Sequence, residues 1–218
     1  MVGRTLAKID KLSAQVAEFT HGRVPRELRR RQVLSVASVL FVERGFAETS
    51  MDELARRVGV SKPVIYDLVG SKEALFREIV AQEADNLSRA IEFAVDAEPN
   101  SDNKLYRGAL AFFRFAQDRR AAWDVLLSAE TAAVSAELAA ARRMQAAAVA
   151  RLLARSAAED GHPADSVLVD ACAHAINGAF EALATWWSQH PTYSAESVAT
   201  LATNLVQPGL RALSQGAK

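Results

Sequence analysis

The chain has 218 residues, half of them hydrophobic and 24% charged, enough for one large or two small domains around a sizeable buried core. No run of about 20 consecutive apolar residues is present to span a bilayer, and the first 25 residues interleave charge with apolar side chains instead of forming a signal peptide, so a cytoplasmic protein with no membrane partner is expected. The formal net charge is zero, but residues 1–80 carry 14 Lys and Arg against 10 Asp and Glu, while residues 81–218 carry 12 against 16.

Abundant Ala, Leu, Glu and Arg, with no alternating Val/Ile/Thr run, predict an all-α chain of about nine helices. Residues 1–24 read as a basic extension, partly helical through Leu6, Ile9, Leu12 and Val16. A helix begins at Pro25, which suits a first helical position. Its stripe of Val33, Ala37, Leu40 and Phe41 is apolar, and Gly45 ends it. Short helices follow at 51–58 and 62–68, then a longer one from 72 to 97 that stops before Pro99. Five more are expected at 102–118, 120–128, 131–158, 164–189 and 194–215, with Pro208 kinking or shortening the last.

The stretch from Thr49 to Tyr66 carries the most information. Ser50 and Glu53 form the pattern of a capping box, and Leu54, Ala55 and Val58 give the helix behind it a buried face. Gly59 supplies a left-handed residue to close that helix, and Val60 plugs the turn. Ser61 then caps a second helix opened by Lys62 and Pro63. Two helices of about two turns joined by Gly-Val-Ser make a helix-turn-helix, whose second helix enters the DNA major groove. Thr49, Ser50, Ser61, Lys62 and Tyr66 set hydroxyls and a cation on the side that would meet phosphates, and Lys72 opens the next helix near them. The polar start of the second helix suits DNA better than a core; an ordinary helical interaction module without DNA is the competing reading.

From Arg31 to Phe76 the chain resembles the DNA-binding domain of TetR-family regulators: an amphipathic helix ending in Gly, Thr-Ser, Leu-Ala, Gly-Val-Ser, a Tyr in the recognition helix, and Ser-Lys-Glu-x-Leu. Behind the basic extension at 1–24, the resemblance implies a three-helix DNA-binding domain at 25–75 and a ligand-binding and dimerisation bundle at 76–218. It implies phosphate contacts from Thr49, Ser61, Tyr66 and Lys72, and base contacts from Lys62, Pro63 and Val64. The chain departs from the family at Asp67-Leu68-Val69, where a His or Tyr followed by Phe is usual. Leu68 cannot donate to a phosphate, and Asp67 must pair with an arginine such as Arg56 or accept from a cytosine. Arg23, Arg26, Arg29, Arg30 and Arg31 could replace the lost attraction.

For the rear domain the resemblance implies a ligand pocket and a homodimer through the last two long helices. Candidate pocket residues are Phe112, Phe113, Trp123, Leu127, Met144, His174, Asn177 and Phe180. Phe112 and Phe113 are adjacent, so both are buried only if their helix is surrounded or one of them lines a cavity. Few polar residues stand among the candidates, which suits a small apolar effector, an acyl chain or acyl thioester as one concrete form. Ala171, Ala175, Gly178, Ala179 and Ala182 place small residues along one helix face, for a partner subunit or for a neighbouring helix. Trp186 and Trp187 either anchor that interface or close the pocket.

No catalytic motif is found. The chain lacks a phosphate-binding glycine loop, GxSxG and HExxH, and its four histidines have no metal-ligand spacing. The lone Cys172 excludes an intrachain disulfide and a cysteine zinc site, so neither cofactor nor metal is expected. The resulting expectation is a repressor released by its effector from a pseudo-palindromic operator, with an activator or ligand-independent regulator as the alternative.

Overall fold

The structure, a computed structural model, describes residues 2–19, 24–119, 132–159, 161 and 165–216. Among the described residues all regular structure is helical: α1 (Val2–Ala17), α2 (Arg26–Glu48), α3 (Met51–Val58), α4 (Lys62–Val69), α5 (Lys72–Asp96), α6 (Ser101–Asp118), α7 (Ala132–Glu159), α8 (Ser166–Ser188) and α9 (Ala195–Gly216). The helix expected at 120–128, with Trp123 and Leu127, lies outside the described residues. The chain divides into a front unit of residues 1–82 and 119–138 and a rear unit of 83–118 and 139–218, and α5 runs through the division.

In the front unit α2 is the central helix. Val33, Val36, Ala37, Leu40 and Phe41 recur on one face and are all buried, as a helix packed on its neighbours requires. Pro25 stands just ahead of the helix, at ψ 133°, so the helix starts one residue later than expected. Gly45 does break it, at φ 78° and ψ 167°, a conformation that favours glycine, and one further short stretch continues to Glu48. The break lets Phe46 turn inward onto Phe41 and Phe76, with ring centroids 5.8 and 4.9 Å away. The basic extension is helical from Val2 to Ala17 and packs on α2, with Leu12 buried and Gln32 Nε2 donating to Ser13 Oγ at 3.4 Å.

In the rear unit α6 packs against α8 and α9. Phe113 has no exposure and rests on Phe180 and Trp187, with centroids 5.5 and 6.0 Å distant. Gly108 admits the close approach of α5: a Cβ there would lie 3.3 Å from Val95 Cγ2. Asp165 caps α8, accepting from the Val167 amide at 2.8 Å. Helix α9 continues through Pro208 to Gly216 instead of ending there. By length and composition alone α8 is apolar enough to cross a membrane, yet it carries Asp170, His174 and Glu181 and supplies Ile176, Phe180 and Trp187 to the core.

Candidate functional site

The helix-turn-helix forms for local reasons. Ser50 Oγ accepts from the Asp52 amide at 3.2 Å and starts α3. The reciprocal half of the capping box is absent, because Glu53 turns to Arg57, 3.0 Å away, which also meets Glu43 of α2 at 2.8 Å. These carboxylates, Glu43 foremost, hold the Arg57 guanidinium above its ordinary pKa and tie α3 to α2. Gly59 is left-handed (φ 76°, ψ 38°), and its amide reaches the Ala55 carbonyl at 2.9 Å, closing α3. Val60 then donates to the same carbonyl at 3.0 Å.

Helix α4 divides into two faces. Ile65, Leu68 and Val69 are buried, while Ser61, Lys62, Pro63, Val64, Tyr66 and Asp67 are exposed. Leu68 and Val69, the departures from the family pattern, are therefore core residues. Ser61 occupies the cap position with its backbone carbonyl bonded to Val64 and Ile65, but its hydroxyl makes no capping bond, contrary to expectation. Lys62 Nζ lies 2.8 Å from Asp52 Oδ2, a pairing that raises its pKa and keeps it cationic. Ser50 is exposed beside it.

Two residues expected to touch phosphates are engaged elsewhere. Thr49 is 3% exposed, and its Oγ1 lies 2.7 Å from the Gly45 carbonyl and 3.3 Å from that of Leu40. The threonine hydroxyl thus bonds the backbone on either side of the break at Gly45. Lys72 Nζ caps the same helix end, 2.8 Å from the Ala47 carbonyl and 4.7 Å from the centre of the Phe46 ring. Asp67 is partnered by Arg26 rather than Arg56, and the same guanidinium reaches the Asp67 carbonyl at 2.6 Å. Arg30 pairs with Glu78 and Arg29 bonds Gln32, so three of the five arginines expected to follow DNA are held within the unit. Arg31 is exposed, and Arg23 lies outside the described residues.

The rear unit contains a cavity of about 340 Å³ bounded by α5, α6, α7, α8 and α9. Ile91, Val95, Ala109, Val149, Leu153 and Ile176 make its wall apolar. The first turns of α6 and α8 and the last turns of α7 and α9 surround one end, bringing Asp102, Lys104, Asp165 and Arg211 there. Lys104 pairs with Glu159, and Arg211 with Asp102 at 2.8 Å. At the other end stand Phe112 and Phe180, with ring centroids 5.6 Å apart, and Asn177 beside them. Three sequence candidates stand apart from the cavity. Phe113 is sealed in the core behind Phe112, Met144 is 51% exposed, and His174 is an exposed residue whose Nδ1 lies 3.0 Å from the Asp170 carbonyl. Helix phase decides each case. Cys172, Val149 and Leu168 also line the cavity, and nothing in their spacing separates a lining residue from a core one.

The small-residue face of α8 is open: Ala171, Ala175, Gly178 and Ala182 are exposed, and a Cβ on Gly178 would meet nothing within 4 Å. Val167, Leu201 and Leu205 are exposed on α8 and α9. The tryptophan pair separates. Trp187 is buried with its Nε1 on the Tyr193 carbonyl at 2.9 Å, while Trp186 lies at the surface, stacked on His190 with centroids 4.4 Å apart.

A helix-turn-helix with an exposed second helix, followed by a helical unit enclosing an apolar cavity, defines a DNA-binding transcriptional regulator. Residues 33–79 match the model for bacterial regulatory proteins of the tetR family, and residues 102–211 match the tetracyclin repressor-like C-terminal domain. The HTH-type transcriptional activator FasR of Mycolicibacterium smegmatis is 31% identical over 160 residues, covering 72% of this chain and 73% of that protein. A TetR-like regulator from Rhodococcus sp. RHA1 has a TM-score of 0.64 at 29% identity, over 87% of this chain and 99% of that one. FadR of Bacillus subtilis, solved with stearoyl-CoA, shares the fold with a TM-score of 0.68 at 14% identity, over 81% and 96%. The chain belongs to the TetR family of transcriptional regulators.

Proposed function

We propose that the protein is a cytoplasmic homodimeric repressor, released from a pseudo-palindromic operator when a small apolar effector fills the rear cavity. The observation that carries this reading is the cavity itself, apolar along its wall and charged at one end. That pattern suits an elongated amphiphile, an acyl chain or acyl thioester, with its polar head among Lys104 and Arg211. The stearoyl-CoA bound by FadR is a ligand of that chemistry in a protein of the same fold.

The DNA-reading residues on this proposal are Lys62, Pro63, Val64 and Tyr66, supported by the Ser50 and Ser61 hydroxyls, all on the exposed face. The open small-residue face of α8, with Leu201 and Leu205 of α9, serves the second subunit; a two-fold dimer presents two reading heads to two half-sites. Helix α5 is continuous across both units and is the element through which occupancy of the cavity alters recognition-helix spacing.

The test is binding to genomic fragments, the protein's own promoter region included, at two salt concentrations with and without dodecanoyl-CoA. Wild type should bind one fragment specifically and salt-sensitively, Tyr66→Ala should bind it weakly, and the thioester should release it. Weak binding to every fragment alike, indifferent to Tyr66, overturns the reading. Because FasR is named an activator, a second reading keeps DNA binding and inverts the output; DNA binding strengthened by the thioester would favour it.

A further inference from the structure

The last turn of α4 is held from α2. The Tyr66 carbonyl accepts from the Gly70 amide at 2.8 Å, but the next two carbonyls take guanidinium groups. Arg26 Nη2 donates to the Asp67 carbonyl at 2.6 Å, and Arg30 Nε donates to that of Leu68 at 3.3 Å. Arg26 and Arg30 stand four residues apart on one face of α2, and cations suit the negative end of a helix. Arg30 has a second attachment. Its Nη2 lies 2.7 Å from Glu78 Oε2 and its Nη1 bonds Glu78 Oε1, so one guanidinium joins α2, the end of α4 and α5. The Arg30 and Glu78 side chains are 34% and 31% exposed, against 62% and 67% for Arg26 and Asp67. Solvent screens the first pair less, and Arg30 is the stronger hold.

That hold acts at the opposite end of the helix from its first residues. Lys62 opens α4 six residues before Leu68, about 9 Å at 1.5 Å per residue. Beneath, the helix rests on Ile65, Leu68 and Val69, and apolar contact has no direction, so it lets the helix rock. Directional bonds at one end fix the tilt, and with it the placing of Lys62 and Tyr66.

Resting on the reading of the outer face of α4 as the DNA-reading face, we infer that Arg30 and Glu78 are positioning residues for operator recognition. Arg30 acts through the end of α4 and touches no phosphate, since its charge is matched by Glu78 and its fork is engaged on both sides. The arrangement needs the planar guanidinium; an ammonium cannot hold the carbonyl and both carboxylate oxygens at once.

The test uses full-length protein and a duplex selected from random-sequence DNA on wild type, with a scrambled duplex beside it. The readout is the ratio of specific to non-specific affinity, at a temperature where circular dichroism shows every variant folded. Glu78→Gln should lower that ratio about tenfold, although it removes an acid from a DNA-binding unit, a change that charge alone turns into tighter binding. Arg30→Lys keeps the charge and should lose about as much. Arg30→Gln should keep the wild-type slope of affinity against salt, and Glu78→Gln added to it should cost nothing more, because the two act as one unit. Unchanged ratios in Glu78→Gln and Arg30→Lys overturn the inference. So does a salt slope about 0.9 shallower in Arg30→Gln, the mark of a lost phosphate contact. Should Glu78→Gln fail to fold, Arg30→Lys decides alone. Tyr66→Ala separates the two levels. If it keeps full specificity, or wild type selects no duplex, the reading of α4 falls and the inference with it. If it loses specificity while the Arg30 and Glu78 variants keep theirs, the inference alone falls.

Discussion

Replacing Thr49 by valine separates two roles that its hydroxyl has in sequence and in structure. The family resemblance places it on a phosphate; the structure buries it to 3% exposure, with Oγ1 2.7 Å from the Gly45 carbonyl. Valine keeps the shape and removes the donor, so the half-buried Gly45 carbonyl and the buried Leu40 carbonyl each lose a bond. Loss of one such bond with its acceptor left buried costs about 1–2 kcal/mol. For a chain of this size that lowers the melting temperature by about 2–8 °C. Calorimetry reads the stability, and fluorescence anisotropy on the operator reads affinity per folded molecule, at a temperature where both proteins are fully folded. The expected result is a lower melting temperature with operator affinity within a factor of about two, since a buried hydroxyl meets no phosphate. An unchanged melting temperature with affinity reduced tenfold or more would refute the structural role and restore the phosphate contact.

Gly178→Leu places a side chain on the open face of α8, where nothing within the protomer stands in its way, so the fold and helicity should survive. Sedimentation should then report monomers where wild type reports dimers; a dimer of unchanged strength sinks the assignment of that face. Gly59→Ala forces an L-residue into φ 76° at the turn of the motif and should cost about 1 kcal/mol in denaturant unfolding, whereas no loss would mean the turn relaxes freely. Glu98, Glu159 and Glu196 all have pKa values below the ordinary glutamate value of 4.5, held there by Arg107, Lys104 and Arg114 respectively. Their contribution is fully present above that value and is lost as pH falls through the depressed folded values. Stability should therefore hold level from neutrality down to about pH 5 and then decline, and Arg107→Gln should flatten part of the decline.

The helix-turn-helix was legible because its signals are local. Ser50 and Gly59 act on residues within one turn of themselves, and the alternation of buried and exposed positions in α4 follows from its own sequence. What escaped were pairings set by distant chain. Asp67 finds Arg26, 41 residues away, and nothing near Asp67 distinguishes that arginine from Arg56. Lys72 finds the Ala47 carbonyl in the last turn of α2, 25 residues away. The rear unit is harder still. Every one of its helices carries apolar residues on more than one side, so wall, core and open face are distinguished by the phase at which each helix meets its neighbours. Phe112 and Phe113 are adjacent in sequence, yet one lines the cavity and the other is sealed behind it. Met144 and His174 stand outside the lining and Cys172 within it for the same reason.

Because the buried contacts of α4 come from Ile65, Leu68 and Val69, the side chains on its outward side carry little of the packing, beyond the surface pairs Lys62–Asp52 and Asp67–Arg26. Lys62, Val64 and Tyr66 can be exchanged for other residues with little expense in foldedness. With these side chains reading the operator, as proposed, a new operator is reachable by single steps, each leaving a folded molecule behind it. Drift on this helix should alter which promoters are heard long before it alters whether the protein survives in the cell, and a library confined to those three positions would explore specificity with few variants lost to misfolding.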